Sequence, residues 1–223
     1  MDPQFWLDRW QSNDIGFHMN RPHPLLEQHW GSLDVRPGSN VFVPLAGKSL
    51  DMVWLADRGH SVVGVELAAQ AVREFFTERS RNPAVTSEGP FSVYRAGPFE
   101  IWQGDFFELS PLVTRRIGAV YDRAALVAMP GALQQRYVDQ LARLTPTGIP
   151  VLLVALDYDP SEMNGPPFPI PERRIEELMQ PWFRVRRLET RDGLLASPNL
   201  RQRGLSWLRE TVYILTRNGR LDA

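Results

Sequence analysis

Apolar runs of strand length alternate with helix-period stripes along most of the chain. Asn40–Val43 is the first such run, and apolar residues at helical spacing follow between Leu50 and Trp54, before Gly59. A second apolar run, Ser61–Val65, comes directly afterwards. This order is typical of two parallel strands joined by a helical crossover. The sequence therefore predicts a β-α-β unit near the N-terminus.

The alternation continues and predicts the order of the remaining elements. A helix after Glu66 has one apolar face, formed by Ala68, Ala71, Val72, Phe75 and Phe76. The further predicted elements are a hairpin over 91–102, a strand over 117–121, a helix over 133–144, a strand over 149–156, a helix over 171–179 and strands over 183–190 and 211–216. The last two strands are joined by a predicted loop, which favours antiparallel pairing.

This layout indicates an α/β protein with the fold of class I methyltransferases. We expect a Rossmann-like, mostly parallel sheet of about seven strands, with helices on both faces and an antiparallel C-terminal strand. The length of 223 residues suits one such domain, and no linker or internal repeat divides the sequence. We therefore expect a single domain over residues 1–223.

The composition excludes several classes of function. The 25 basic and 26 acidic residues are interleaved, so the chain has no basic stripe for nucleic acid. The absence of cysteine excludes disulfides, thiolate metal sites and a cysteine nucleophile, and the histidines at 18, 23, 29 and 60 lack zinc-pair spacing, so no metal is expected. The N-terminus lacks signal-peptide features and no apolar run has membrane-spanning length. We expect a cytoplasmic monomer that acts on small molecules.

Gly47-Lys48-Ser49 has the letters that end a triphosphate-binding loop. That loop needs a glycine where this chain has Phe42, and Pro44 removes a backbone N–H that the loop would need. The dinucleotide pattern of spaced glycines is missing too, because Gly47 is the only glycine between Gly38 and Gly59. The sequence therefore predicts no phosphate contact for Lys48, whose side chain we expect to be solvated.

Three predicted strand ends carry residues suited to a nucleoside. Leu45 to Gly47 follow the first strand, Glu66 ends the second, and Gly104-Asp105 follow the hairpin. Open parallel sheets bind ligands beyond the carboxyl ends of their strands. For S-adenosylmethionine, Gly47 would allow close approach of the amino-acid part, Glu66 would accept from the ribose, and Asp105 from the adenine amino group. Alternatively, these acids only cap the helices that follow.

Several motifs along the chain are more specific than this general layout. They are Trp6-x-x-x-Trp10 with Gly16-Phe17-His18, the stretches 43–49 and 57–66, Asp122-Arg123-Ala124-Ala125-Leu126, Tyr158-Asp159-Pro160 and Gly165-Pro166-Pro167-Phe168. On these motifs the chain resembles the thiopurine S-methyltransferases, especially their bacterial branch, over nearly its whole length.

The resemblance implies methyl transfer from S-adenosylmethionine to the sulfur of small aromatic or heterocyclic thiols, thiopurines among them. Bacterial relatives are also associated with selenium and tellurium compounds. By matched position, Phe17 is implied in the substrate pocket. The residues implied in the cofactor site are Trp6, Trp10, Leu45, Glu66, Gly104, Asp105 and Arg123. Relatives can carry a non-acidic pair in place of Gly104-Asp105.

Residues 1–30 are expected to form a lid. Asp2 and Pro3 suit a helix start, as an N-cap followed by proline. Trp6 and Trp10 then lie on roughly one side of a short helix, where they either pack onto the domain or fold over bound cofactor with their indole faces near its sulfonium. We predict that the segment orders on cofactor binding.

Methyl transfer from a sulfonium is an in-line displacement, so alignment of donor and acceptor supplies most of the catalysis. Arg123 is the candidate to bind an acceptor thiolate, unless it only pairs with Asp122. Asp122 and His18 are candidates for moving a proton, although a loop histidine also serves as a structural hydrogen-bonding group. Arg201 and Arg203, in the loop before the last strand, are candidate substrate contacts.

Two functions of other classes stay open. A nicotinamide-dependent oxidoreductase would share the sheet, but it needs the glycine triad that this chain lacks. A non-catalytic nucleoside-binding protein would use the same strand ends without turnover.

Overall fold

The computed structural model describes residues 3–219 of the chain. The chain divides between Tyr121 and Asp122 into two compact units, called here the N-terminal and the C-terminal unit. Each unit contains both strands and helices, as predicted for an α/β protein. Asp2, the predicted helix N-cap, lies outside the described residues.

The N-terminal unit contains the β-α-β pattern from which the fold was predicted. Its elements are α1 (Pro3–Gln11), α2 (Pro24–His29), a 3-10 turn (Trp30–Leu33), β1 (Asn40–Val43), α3 (Leu50–Asp57), β2 (Ser61–Glu66), α4 (Ala69–Thr77), β3 (Ala84–Glu88), β4 (Phe91–Ala96), β5 (Phe99–Gln103), a 3-10 turn (Phe106–Glu108), α5 (Pro111–Thr114) and β6 (Ile117–Arg123). The last two residues of β6 already belong to the C-terminal unit.

The strands of the N-terminal unit follow the order β3-β4-β5-β2-β1-β6. β1 pairs in parallel with β2 and with β6, and β2 pairs in parallel with β5. The parallel core that the alternation predicted is therefore confirmed. β3, β4 and β5 pair in antiparallel fashion, as expected for the 91–102 hairpin, and they extend the sheet on the far side of β2.

The core of this unit follows the predicted apolar pattern. In β2 every residue after Ser61 is buried, because a central parallel strand is covered on both faces. The apolar face predicted after Glu66 is also buried, and it consists of Ala68, Ala71, Val72, Phe75 and Phe76. Helix α3 begins where the hydroxyl of Ser49 accepts a hydrogen bond from the backbone N–H of Asp51 at 3.1 Å.

The C-terminal unit holds the remaining elements. They are a 3-10 turn (Leu126–Ala128), α6 (Gly131–Leu144), β7 (Pro150–Asp157), α7 (Glu172–Met179), β8 (Phe183–Asp192), α8 (Pro198–Gln202) and β9 (Arg209–Arg217). β9 pairs in antiparallel fashion with both β7 and β8, so the predicted antiparallel ending is confirmed.

Several elements were absent from the prediction, among them β3, α8 and the short helices α2 and α5. The described residues contain nine strands instead of seven, and β3 had no signal because all five of its side chains are exposed. The predicted loop before β9 contains the short helix α8, which begins with Pro198 at its first turn and buries only Leu200. A five-residue helix is too short to show a helical period in its sequence.

Membrane-spanning helices and metal-binding clusters are both absent from residues 3–219, the part of the chain that the structure describes. None of their helices combines the length and apolar character needed to cross a membrane. They also contain no group of three or more His, Asp or Glu side chains placed to hold a metal ion.

Candidate functional site

The carboxyl ends of β1, β2 and β5 are joined by hydrogen bonds. After β1, the N–H of Ala46 donates to the carbonyl of Val65 at 2.9 Å. After β5, the N–H of Gly104 donates to the carbonyl of Glu66 at 2.9 Å. The N–H of Gly47 donates to Oε2 of Glu66 at 2.7 Å. The structure therefore brings together four residues that the sequence placed at one edge: Leu45, Gly47, Glu66 and Gly104.

Glu66 is a buried carboxylate held by backbone donors. Besides the bond from Gly47, its Oε1 accepts from the N–H of Ala68 at 2.8 Å, so it does cap the turn that begins α4. Burial raises the pKa of Glu66, and the N–H groups of Ala68, Gly47 and Leu67 oppose that rise. Because a carboxylate has roughly four lone-pair positions, acceptor capacity for a ligand remains beside the capping bonds.

The loop after β1 has an unusual backbone. Leu45 has φ +47° and Gly47 has φ +53°, both in the left-handed region. Gly47 adopts this region without penalty, whereas a residue with a Cβ, such as Leu45, pays about 1–2 kcal/mol. Strain of this kind is concentrated at functional sites. A Cβ on Gly47 would also lie 3.3 Å from Cζ2 of Trp10, so the indole covers this glycine closely.

The N-terminal segment packs onto the same loop through aromatic side chains. Trp10 is only 3% exposed and packs with Ala68 and Ala71 of the α4 region. Phe17 contacts the rings of Trp6 and Trp10 edge to face, with centroid distances of 5.8 and 5.7 Å. Trp6, Trp10 and Phe17 therefore form one aromatic cluster next to Gly47.

Lys48 is not solvated, contrary to the prediction. Its side chain is 10% exposed, and its Nζ lies 2.8 Å from Oε2 of Glu74 and 2.6 Å from Oε1 of Glu78. The spacing of the two glutamates places them on one helix face, but nothing local in the sequence identifies Lys48 as their partner. The pKa of Glu74 is lowered, chiefly by the hydrogen bond from Lys48. His18, the proton-transfer candidate, lies within electrostatic range of Glu74 and lowers that pKa further.

Gly104 and Asp105 have local structural roles. A Cβ on Gly104 would lie 2.5 Å from Cδ1 of Phe91, and that ring is buried, so only glycine fits here without a shift. Oδ1 of Asp105 accepts from the N–H of Phe107 at 2.9 Å, which caps the following 3-10 turn. Asp105 therefore caps the turn that follows it, which was the alternative to an adenine contact.

In the C-terminal unit, Asp122 is fully buried at the end of β6. Its Oδ2 accepts from the hydroxyl of Tyr137 at 2.7 Å, and its Oδ1 accepts from the N–H of Leu126 at 3.2 Å. Burial raises the pKa of Asp122 to about 6, against the opposing effect of these hydrogen bonds. Arg123 follows, half-buried, and Ala124 has φ +62°. Tyr137 was predicted only as a core residue of its helix, and nothing in the sequence marked its bond to Asp122.

The two arginines predicted to contact substrate lie on or next to α8. Arg201 is exposed in the last turn of the helix. Arg203 donates from Nη1 to the carbonyl of Pro166 at 2.8 Å, and the hydroxyl of Tyr158 donates to the carbonyl of Pro167 at 2.6 Å. Arg203 therefore supports the Gly-Pro-Pro segment from the helix that precedes β9.

The fold resembles solved methyltransferase structures. One of them is a Burkholderia thailandensis 1,6-didemethyltoxoflavin-N1-methyltransferase with bound 1,6-didemethyltoxoflavin and S-adenosylhomocysteine. It aligns with a TM-score of 0.63 at 14% sequence identity and covers 97% of this chain and 87% of that chain. At this identity the likeness concerns the fold alone. The fold is that of the class I methyltransferases.

Sequence comparisons identify the family. The family model described as "Thiopurine S-methyltransferase (TPMT)" matches residues 1–218. A thiopurine S-methyltransferase of Methylococcus capsulatus is 47% identical over 216 residues, which is 96% of this chain and 97% of that protein. Another, of Azotobacter vinelandii, is 46% identical over 217 residues, 97% of this chain and all of that protein. The chain belongs to the thiopurine S-methyltransferase family, and it is therefore a methyltransferase, as predicted.

Proposed function

We propose that the chain methylates the sulfur of small aromatic or heterocyclic thiols, thiopurines among them, with S-adenosylmethionine as the methyl donor. Membership of the family supports this reaction. The single observation that carries the site is the 2.7 Å hydrogen bond from the N–H of Gly47 to the carboxylate of Glu66. It joins the ends of two parallel strands, which is where such sheets bind nucleosides.

The residues at this edge have the chemistry that the cofactor needs. Glu66 retains acceptor positions for the ribose hydroxyls, and the backbone at Gly47, beside the indole of Trp10, is assigned to the amino-acid part of the cofactor. The indoles of Trp6 and Trp10 offer π faces that attract a cation. The residues assigned to the cofactor are Trp6, Trp10, Leu45, Gly47, Glu66, Gly104, Asp105 and Arg123. When bound, S-adenosylmethionine supplies an electrophilic methyl group on a cationic sulfur.

The chain's own residues then bind and orient the acceptor. A guanidinium such as that of Arg123 stabilises a thiolate by charge-assisted hydrogen bonds, and Phe17 offers an aromatic wall. Electron-poor heterocyclic thiols ionise readily, so such an acceptor can bind as the anion without a strong base. Arg201 and Arg203 are assigned to the acceptor as well, and Arg203 also orients the segment around Pro166.

Asp122 and His18 stay the candidates for receiving a proton from an acceptor that binds as the neutral thiol. A base works best when its pKa lies near the working pH, and the pKa of Asp122 is about 6. Asp122 is 0% exposed and both of its oxygens accept hydrogen bonds, so we also assign it a positioning role for the strand end that carries Arg123. His18 is partly exposed and is the more accessible of the two.

The acceptor class is tested by a methyl-transfer screen. We expect methylated products with thiopurines and thiophenols, and we include selenite and tellurite because an arginine also suits these oxyanions. Calorimetric titration with S-adenosylmethionine and with NAD accompanies the screen. Binding of NAD in place of S-adenosylmethionine would identify an oxidoreductase. Cofactor binding with no methylated product from any acceptor would favour a non-catalytic nucleoside-binding protein.

Glu66→Ala tests the cofactor assignment directly. Hydrogen bonds to a charged group are worth roughly 1–3 kcal/mol, so affinity for S-adenosylmethionine should fall by a few-fold to about a hundredfold. The matched control is Glu108→Ala, which removes an exposed carboxylate from the 3-10 turn after β5 and should leave affinity unchanged. Equal affinities of Glu66→Ala and the unsubstituted chain would refute the ribose assignment.

A further inference from the structure

Lys48 is tied to the α4 region through both its side chain and its backbone. Its ammonium group lies 2.8 Å from Oε2 of Glu74 and 2.6 Å from Oε1 of Glu78. Its carbonyl oxygen accepts a hydrogen bond from Nη2 of Arg79 at 3.4 Å. The ammonium is largely buried, whereas the two carboxylates are partly exposed, so the ion pairs hold the lysine down onto the helix.

The partners of Lys48 are themselves held in place. Gln70 donates to the second oxygen of Glu74 at 2.7 Å. Arg79 donates from Nη1 to the carbonyl of Phe75 at 2.7 Å, and its guanidinium lies 4.2 Å from the centroid of the Phe75 ring. Hydrogen bonding to Lys48 lowers the pKa of Glu74, which favours the charged carboxylate that the ion pair needs. Glu74, Glu78 and Arg79, called here the clamp, therefore form a preformed surface onto which Lys48 docks.

Lys48 directly follows the part of the loop that faces the proposed cofactor. Gly47 has φ +53° and donates its N–H to Glu66, and Leu45 has the strained φ of +47°. A loop with two left-handed residues keeps its shape only where its surroundings hold it. On the strand side, the N–H of Ala46 is bonded to Val65 at 2.9 Å. On the helix side, the clamp on Lys48 supplies the corresponding anchor.

We propose that Lys48 is a positioning residue for the cofactor, which acts by clamping the 45–47 loop to Glu74 and Glu78 and not by touching the ligand. The inference rests on the proposed function, because it assumes that the loop receives S-adenosylmethionine. It assigns a role to the lysine of the Gly47-Lys48-Ser49 motif that does not involve phosphate. The clamp contributes to affinity by reducing the ordering that the loop must undergo on binding.

The test measures the dissociation constant of S-adenosylhomocysteine by calorimetry, together with kcat and KM for S-adenosylmethionine. Lys48→Met should raise the dissociation constant about tenfold and raise KM similarly, while kcat at saturating cofactor changes less than about twofold. Lys48→Arg keeps a cation in reach of both glutamates and should restore most of the affinity. The double variant Glu74→Gln/Glu78→Gln should weaken binding several-fold.

Combining the substitutions separates a clamp from direct contact. If Lys48 acts through the glutamates, adding Lys48→Met to the double glutamine variant should change affinity less than about twofold further. If the double variant binds like the unsubstituted chain while Lys48→Met does not, the lysine contacts the ligand directly and the proposal is overturned. Unchanged affinity in Lys48→Met overturns it as well.

Arg95→Met is the matched control for a general loss of stability. Arg95 also lies between two glutamates, 2.7 Å from Glu88 and 2.8 Å from Glu100, in the β3–β5 part of the sheet. Its removal should leave the dissociation constant unchanged, and an effect equal to that of Lys48→Met would refute a specific clamp. Failure of the unsubstituted chain to bind S-adenosylhomocysteine would reject the proposed function itself, whereas normal binding with no Lys48 effect rejects only this inference.

Discussion

Asp122 is a buried carboxyl group whose surroundings favour its protonated form. Burial raises its pKa from the usual 3.8 to about 6, because the hydrogen bonds from Tyr137 and the backbone offset only part of the desolvation. Since the folded-state pKa lies above the unfolded one, the folded chain binds this proton more tightly. The stability associated with Asp122 is therefore complete below pH 3.8 and is lost as the pH rises through about 6.

Asp122→Asn should remove this pH dependence. A shift of about two pKa units corresponds to about 3 kcal/mol. The unfolding free energy of the unsubstituted chain, relative to Asp122→Asn, should therefore fall by that order between pH 4 and pH 7, as measured by urea unfolding. Glu74→Gln is the control. Its effect on the unfolding free energy should change with pH in the opposite direction, because hydrogen bonding to Lys48 lowers the pKa of Glu74. If the unfolding free energies of the unsubstituted chain and Asp122→Asn changed with pH in parallel, the raised pKa of Asp122 would be contradicted.

The sequence allowed side chains to be matched to chemical groups of the ligand. It did not show which other residues of the protein those side chains contact. Glu66 was located because an acid at a strand tip is a local signal, and the structure places it against Gly47. The pairing of Lys48 with Glu74 spans 26 positions in the chain, and that of Tyr137 with Asp122 spans 15. Both pairs depend on how helices pack against strand ends, which no local pattern reports.

At the scale of elements, the N-terminal segment is the part that we expect to respond to the cofactor. α1 and Phe17 contact the 45–47 loop and α4 mainly through Trp10. Few other side chains of α1 are buried, so its local opening should cost little free energy. A ligand that binds only the closed form will suppress this opening.

Limited trypsin digestion tests this response at Arg9, inside α1. Saturating S-adenosylhomocysteine should slow cleavage there several-fold, as followed by mass spectrometry. Trp10→Ala should be cleaved faster and should lose most of the protection. Trp207→Ala, which truncates a partly exposed tryptophan of the C-terminal unit, is the control and should behave like the unsubstituted chain. Identical cleavage with and without ligand would rule out the lid.

Elements with an apolar face repeated over several turns or strand positions were predictable, whereas short or exposed elements were not. The β1-α3-β2-α4 series matched the sequence because apolar residues recur at the period of each element. All five residues of β3 have exposed side chains, and the strand forms because it pairs with β4 residue by residue. α8 owes its place to Leu200, which joins the cluster formed with Tyr158, Met163, Leu205 and Leu208.

At the scale of the whole molecule, cofactor binding should raise thermal stability. A ligand at 100 times its dissociation constant stabilises the folded state by about 2.7 kcal/mol. For a chain of this size that corresponds to a rise of roughly 5–10 °C in the midpoint of thermal unfolding. Differential scanning calorimetry with S-adenosylhomocysteine measures the shift, and NAD at the same concentration is the control. A rise of equal size with NAD would argue against a site selective for S-adenosylmethionine.

The sequence by itself determined the α/β class, the parallel core, the antiparallel ending and the family, because periodicity and strand-end motifs are local properties of the chain. It also singled out Glu66, at the end of β2, and Gly47, in the loop after β1, as predicted cofactor contacts. Tertiary structure alone decided that Lys48 is buried against Glu74 and Glu78, that Asp122 is bonded to Tyr137, and that Trp10 covers Gly47. These contacts join segments distant in sequence, and their energies depend on burial and distance, which exist only in the folded chain.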